Sequence, residues 1–307
     1  MAGDLFDDEA LRHALHCGLG WRAVRLEEGP CWAFEQARFG LRRWELGPMG
    51  LYAGTVTPCD WSAALQVARR RASSVRWQGS PQQALTLPAP AAAQAVADGD
   101  THSFTIPAGY ALTPRETHLL SVEPTAEAQR ARYHATKRSQ IARPALPDTE
   151  IAPGRAADLD DYWALYAESL RRWGRQDVPY PRVLFDALLD SPSVRLWTLR
   201  VQGRLAAAMV LLQTRPQALY WQGVTSSDAA FKPAFPMLRL VDAVVRDLSA
   251  HGIPVLNLGA SEGLPQVRRF KEEFGAVATP YPTLAWDGLA WRAAQGLRRV
   301  VLPIIRR

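Results

Sequence analysis

Lysine is almost missing from this chain. Although Lys and Arg together number 36, only Lys137, Lys232 and Lys271 are lysines. Arg suits planar ion pairs, whereas Lys is a compact, flexible donor able to sit against one developing oxyanion. The three survivors are therefore candidates for positions that Arg does not fit. Cysteine is scarce and odd in number: Cys17, Cys31 and Cys59 lie near the front without the spacing of a zinc ligand set, so no metal is expected and a reducing cytoplasm is. The opening MAGDLFDDEALRH has acids where a signal peptide needs positive charge. The longest apolar run, Leu205 to Leu212, is far too short to span a bilayer. No transmembrane segment is expected, and any membrane contact is peripheral, at the inner face. Zinc-protease histidine spacing, a GxSxG elbow, a phosphate loop and solenoid repeats are all absent from the sequence.

What remains is ordinary globular material: 48% apolar and 21% charged residues over 307 positions, enough for two domains. Pro and Ala crowd one stretch, Ser80 to Ala97, which reads as a linker or mobile loop. The net charge of +6 is unevenly placed, since residues 1–128 carry 11 basic and 14 acidic groups. In QRARYHATKRSQIAR, the residues Arg130, Arg132, Lys137, Arg138 and Arg143 meet no acid, and neither do Arg292, Arg298, Arg299, Arg306 and Arg307 after Asp287. Such patches attract nucleotide phosphates, RNA or an anionic bilayer face.

The first third predicts strands at WRAVRL, PCWAFEQARFG and LRRWELG, a helix capped by Asp60, and a strand at VRWQGS. HLLSVEP reads as a strand leading into one basic helix from about Thr125 to Arg143, stopped by Pro144. A strand, an Asp158-capped helix ending at Gly174, and a second helix follow. Next come a hairpin around Gln202 and Gly203, the strand ALYWQGVTS, the helix PMLRLVDAVVRDLSAHG, a buried strand VLNLG, the short helix PQVRRFKEEFG and a strand around YPTLAW. That order forms a mixed α/β sheet. The tail from Leu289 reads as a basic amphipathic helix interrupted by Pro303, with Leu297, Val300, Val301 and Ile304 on its apolar face.

Three stretches carry a resemblance. HATKRSQIARPAL, with Lys137, Arg138, Ile141 and Arg143, is similar to the Lys/Arg helix opening the second domain of FemAB-like proteins, a branch of the GNAT acyltransferases. SSDAAFKPAFPMLRLVDAV resembles the segment after their fourth strand. VLNLGASEGLPQVRRFKEEFGA matches their strand, Ser, Gly and Phe-Lys pattern at Ser261, Gly263, Phe270, Lys271 and Gly275. The chain departs at Asn257, where the family often has Asp, and at Ala260, where it sometimes has Arg; the inserted helical arm of longer members is absent. The resemblance implies an α/β chain of two GNAT-like domains with mixed sheets flanked by helices: a degenerate first copy over 1–145, a FemAB-like domain over 146–288, and the basic tail 289–307.

The activity it implies is transfer of an aminoacyl or acyl group to an amine of a cell-envelope precursor such as a peptidoglycan stem peptide. Such chemistry needs positioning and oxyanion stabilisation more than covalent machinery. Lys271, beside Phe270, fits the oxyanion role. Lys137, Arg138, Lys232, Ser261, Asp228 and Glu262 are substrate-binding candidates, and Asp228 or Glu262 is a candidate base. Trp221 and Tyr220 read as core rather than substrate platform. GNAT enzymes that use acetyl-CoA have a glycine-rich turn after the fourth strand to hold the pyrophosphate. Here that turn is TSSDAAFKPAFP, which has no glycine and favours aminoacyl-tRNA over acyl-CoA as the donor, with no bound cofactor. A CoA-dependent N-acetyltransferase is the nearest alternative, and a non-catalytic module holding RNA or anionic lipid is the rival from another class. The site is expected in a cleft between the domains, with a nucleotide- or lipid-linked precursor as acceptor.

Overall fold

The computed structural model describes residues 5–27, 31–53, 59–81, 85–86, 104–214, 216–261 and 263–305. In chain order the elements are α1 (Glu9–Leu19), β1 (Arg22–Leu26), β2 (Cys31–Arg38), β3 (Leu41–Leu46), α2 (Trp61–Arg71), β4 (Ser74–Gln78), β5 (Leu85–Thr86), β6 (Phe104–Thr105) and β7 (Ala111–Ser121). Then follow α3 (Ala126–Arg132), α4 (Ala135–Ala142), β8 (Thr149–Pro153), α5 (Leu159–Arg172), α6 (Arg182–Leu188), β9 (Val194–Val201), β10 (Arg204–Gln213) and β11 (Ala218–Thr225). Last are α7 (Pro236–Ala250), β12 (Val255–Asn257), α8 (Pro265–Glu272), β13 (Val277–Asp287) and α9 (Leu289–Ile305). The chain divides into two compact units, one of Met1–Leu19 with Glu116–Thr279 and one of Gly20–Arg115 with Pro280–Arg307.

The first unit has strand order β7-β12-β11-β10-β9-β8. All neighbours are antiparallel except β11 and β12. The run Ala206 to Leu212 on β10 is buried at every residue, because a strand covered on both faces admits no polar alternation. Helix α7 supplies Leu238, Val241, Val244, Val245 and Leu248 to this core at helical spacing. Gln202 (φ 50°) and Gly203 (φ 72°) form the two-residue turn between β9 and β10, as the hairpin reading predicts.

The second unit repeats the pattern on a smaller scale. Its order is β1-β2-β3-β4-β13, antiparallel except for β3 and β4, and α2 covers it with Trp61, Ala64, Leu65 and Ala68. In both units an antiparallel meander (β1-β2-β3; β9-β10-β11) is followed by a helix (α2; α7) and a parallel strand (β4; β12). Each parallel strand then pairs with one further strand segment of its own unit, Thr283–Asp287 of β13 against β4 and Leu119–Ser121 of β7 against β12. The α/β class, with mixed, helix-flanked sheet in each unit, is therefore what the chain adopts.

Several local expectations need correction. Helix α1 precedes the first of the predicted strands, in a third of the chain where the sequence predicts no helix before the one capped by Asp60; Asp8 caps it, accepting from the Leu11 amide at 3.2 Å. The helix packs on α6 so closely that a Cβ at Gly18 would lie 2.5 Å from Cβ of Leu184. The single basic helix is two, α3 and α4, because Tyr133 is extended (φ −70°, ψ 146°) and buried, and the His134 amide donates to Glu273 O at 2.8 Å. Asp60 caps α2 through the Ala63 amide as predicted. Asp158 does not cap α5; it accepts from the Arg155 amide and pairs with Arg200. Helix α9 continues through Pro303, whose fixed φ is itself helical.

Cys31 and Cys59 are joined as a disulfide, their Cα atoms 6.2 Å apart, which departs from the thiols that a reducing compartment implies. Folding brings both to the core of the second unit; Cys17 is free and exposed. The Pro/Ala stretch lies largely outside the described residues. No helix among the described residues is long and apolar enough to cross a membrane.

Candidate functional site

Strands β11 and β12 are joined over only two pairs, Ala218 with Leu256 and Leu219 with Asn257. Beyond them β11 runs on to Thr225, while the other chain turns away into the loop 258–264 that leads to α8. The strands thus part inside the sheet, and Leu256, Asn257 and Leu258 are buried there, as the reading of VLNLG as a buried strand predicts. Immediately past the fork β11 carries a bulge, where Val210 faces Gln222 but Leu211 faces Tyr220. A bulge kinks the strand and re-aims its side chains. Here it brings the Tyr220 ring over Gly223, where a Cβ would fall 1.7 Å from the hydroxyl oxygen.

The loop leaving β12 is held by a buried polar set. The Lys271 ammonium, on α8, donates to the carbonyls of Gly259 (2.9 Å) and Ala260 (2.7 Å). A compact ammonium with rotatable donors reaches two successive carbonyls that a planar guanidinium fork does not match. Asn257 Oδ1 accepts from Thr117 Oγ1 at 2.6 Å and from the Gly259 amide at 2.8 Å. Ser261 Oγ lies 3.4 Å from Nδ1 of His118, which is on β7. Both side chains are buried, and Nε2 of His118 has no hydrogen-bond partner among the described residues. Such an orphaned buried group costs about 1–3 kcal/mol. Burial and the nearby Lys271 ammonium push the His118 imidazole below its ordinary pKa, against the pull of Glu116 and Glu272.

His118 belongs to none of the sequence motifs. Its signal was positional: on a strand, His118 shares a face with Leu120, which is fully buried, so the imidazole had to be accounted for inside.

The turn after β11 is equally well defined. Ser226 donates its amide to Ala206 O, Ser227 to Glu168 Oε1, Asp228 to Ser226 Oγ, Ala230 to Asp228 Oδ1, Phe231 to Asp228 O and Phe235 to Lys232 O. Pro233 and Pro236 have no amide hydrogen to offer. Asp228 also pairs with Arg204 at 2.8 Å. The Ala230 amide and Arg204 hold its carboxyl below the usual range, which makes it a weak base.

The remaining candidates are not all gathered here. Phe270 is half-buried; the Lys137 ammonium sits 4.3 Å from the centre of its ring and 3.4 Å from Glu273 Oε2. Lys137 therefore fastens α4 to α8, and burial pushes its pKa down against the pull of Glu273. Arg138 donates Nη1 to the carbonyl of Tyr133 at 2.5 Å, near the end of α3. Lys232 is exposed on the turn after β11. Glu262 lies outside the described residues. The basic cluster that meets no acid in sequence meets several in space: Arg130 pairs with Asp242, Arg132 with Glu123 and Lys137 with Glu273. No group of side chains suited to a metal ion occurs among the described residues.

Residues 128–272 match the acetyltransferase (GNAT) domain family. No curated protein matches the chain in sequence. Among solved structures, FemX superposes with a TM-score of 0.64 at 12% identity, covering 92% of this chain and 92% of its own. The DUF2156 C-terminal domain assigned to a lysylphosphatidylglycerol synthetase of Agrobacterium fabrum gives 0.60 at 16% identity, covering 97% of this chain and 93% of its own. L-PGS from Bacillus licheniformis gives 0.54 at 15% identity, covering 100% and 99%. The forked strands, the bulge and the clamped loop all fall within the span that matches the acetyltransferase (GNAT) family, in a chain whose fold over 92% of its length is similar to that of FemX.

Proposed function

We propose that this chain transfers an aminoacyl or acyl group to an amine of a cell-envelope precursor, with the fork between β11 and β12 as the place of reaction. Lys271 acts there by fixing the loop that carries Ser261, and Phe270 backs that loop through α8. The observation that carries the choice of donor is the turn after β11. Its amides at 226, 227, 228, 230, 231 and 235 are directed at the protein's own acceptors, and two carboxylates, Glu168 and Asp228, stand among them. A diphosphate needs several amides converging on one point and meets repulsion from carboxylates. That supports aminoacyl-tRNA over acyl-CoA. The lysylphosphatidylglycerol synthetase among the similar folds is named for a lysyl group and a phospholipid, which supports an aminoacyl group and an envelope acceptor.

Mass spectrometry of envelope precursors from cells with and without the protein tests the reaction. A mass increment of one amino acid on the precursor is expected. Calorimetry tests the donor: acetyl-CoA should bind no better than about millimolar, near 4 kcal/mol. Charged tRNA should bind more tightly, with affinity falling steeply as salt rises. Micromolar, salt-insensitive CoA binding with an acetyl increment on the product would replace this reading by that of a CoA-dependent N-acetyltransferase.

A further inference from the structure

The clamp made by Lys271 and Asn257 accounts for the shape of the loop after β12 but not for the pair it leaves side by side. Ser261 is 9% exposed and His118 is 0% exposed, with Oγ and Nδ1 3.4 Å apart. Buried side-chain nitrogens are nearly always hydrogen-bonded. His118 breaks that rule at Nε2, while the backbone of Gly259 lies against the imidazole and favours its protonated form. An imidazole in contact with a hydroxyl and shielded from bulk water is suited to taking and returning a proton.

We propose, on the reading that this site transfers an acyl group to an amine, that Ser261 and His118 form a proton shuttle between the attacking amine and the leaving group. The amine nitrogen attacks the acyl carbon and a C–N bond forms. An N–H bond breaks, its proton passes to Ser261 Oγ, and the hydroxyl's own proton passes to His118 Nδ1. As the bond from the acyl carbon to the leaving oxygen breaks, the proton returns by the same path to that oxygen. One proton has moved from nucleophile to leaving group, and no further reactant is consumed. Ser261 touches the reacting atoms; His118 acts through it.

The charged groups around the imidazole set the direction of its pH response. Burial and Lys271 on α8 hold it neutral, while Glu116 on β7 and Glu272 on α8 pull the other way, Glu116 being itself paired with Arg268. The shuttle therefore works with a neutral imidazole and fails on acidification, at a pH below the ordinary imidazole value of 6.5.

The test uses permeabilised cells that lack the chromosomal protein and carry the wild type, S261A, S261T or H118Q. Transfer to endogenous envelope precursors is followed by mass spectrometry across about pH 5 to pH 9, the range in which histidine titrates. S261A and H118Q should each lose about a hundredfold in rate, the size of a typical proton-transfer contribution. S261T keeps the hydroxyl and should recover most of the activity, and the acid limb of the wild-type profile should be missing from the residual activity of H118Q. Should H118Q fail to fold, S261A and S261T carry the same expectation alone. Wild-type rates in S261A, or no recovery in S261T, would overturn the shuttle while leaving the transferase reading intact. No precursor change with the wild-type protein would bring down both.

Discussion

At the scale of single residues, the lysine economy of this chain has a geometric explanation at two of its three positions. Lys271 reaches two consecutive carbonyls, and Lys137 stands over Phe270 within reach of Glu273. Replacing Lys271 by Met removes two charge-assisted hydrogen bonds, worth about 1.5–3 kcal/mol each. Transfer should fall by at least about a hundredfold as the Ser261 loop loses its anchor, and the thermal midpoint should drop by at least about 6 °C, since the two bonds together are worth at least about 3 kcal/mol and a unit of this size shifts by about 2–4 °C per kcal/mol. Rate and melting measured on the same preparation check both; unchanged transfer in a destabilised K271M protein would remove Lys271 from the mechanism.

Asp8 offers a pH-dependent test. Its carboxylate accepts from Ser191 Oγ at 2.5 Å and from the Ser193 amide at 3.3 Å, in addition to capping α1. Burial acts to raise its pKa, but these hydrogen bonds together win and lower it from 3.8. A carboxyl depressed in the folded state adds stability that is complete above its unfolded value and is lost as pH falls through the folded one. D8N should therefore melt below the wild type at neutral pH, by about 1–2 kcal/mol for a lost cap and its companion bond. The gap should close below pH 3.8. A gap that persists in acid would show that the carboxylate charge is not what holds α1 to the turn before β9.

At the scale of elements, the bulge on β11 makes a packing claim. Tyr220 occupies the space that a side chain at residue 223 would need. G223A should destabilise by about 1–3 kcal/mol, the usual range for overpacking. In the double variant with Y220A, the cost of the added methyl should largely vanish, because the ring it strikes is gone. A denaturant-based double-mutant cycle with strictly additive effects would show that ring and glycine do not meet.

This is also the scale on which the sequence was most readable. The β10 run, the Gln202-Gly203 turn, the Asp60 cap and the long apolar face of α7 each follow from local chemistry. The break between α3 and α4 does not: nothing in Tyr133-His134 forbids a helix, and it is the distant Glu273 carbonyl and the burial of Tyr133 that extend the chain there. Helix α1 was hidden for a similar reason, since its tightest contact, Gly18 on Leu184, is with a residue 166 positions away. Lys271 and Ser261 stood out in the sequence through the resemblance of their segment to FemAB-like proteins. The pairing of Ser261 with His118 was not, because the two are 143 residues apart and meet only when β7 lies beside β12.

At the scale of the whole molecule, α9 leaves Leu289 and Leu297 exposed, at 79% and 67%. The helix belongs to a stretch with no acid after Asp287, which suits an anionic membrane, where each basic residue is worth about 1 kcal/mol near the surface. Deleting residues 289–307 should reduce co-sedimentation with phosphatidylglycerol vesicles at least about tenfold at low salt and leave binding to neutral vesicles unchanged. Equal co-sedimentation of the full and shortened chains would assign the exposed leucines another role.

The pairing of β7 with β12 and of β13 with β4 bears on how the protein comes into being. While the chain is being synthesised, the sheet of β1 to β4 is complete except for its β4 edge, and it stays so until residue 287 has been made. A bare strand edge is a template for any other strand. The same topology places the closing contacts of both sheets far apart in sequence, Val75 with Trp286 and Leu120 with Leu256. Long-range pairings of this kind slow folding. The nascent protein should accordingly depend on holding chaperones for much longer than a linear pair of domains would, and fragments cut between residues 115 and 277 should aggregate instead of folding as halves.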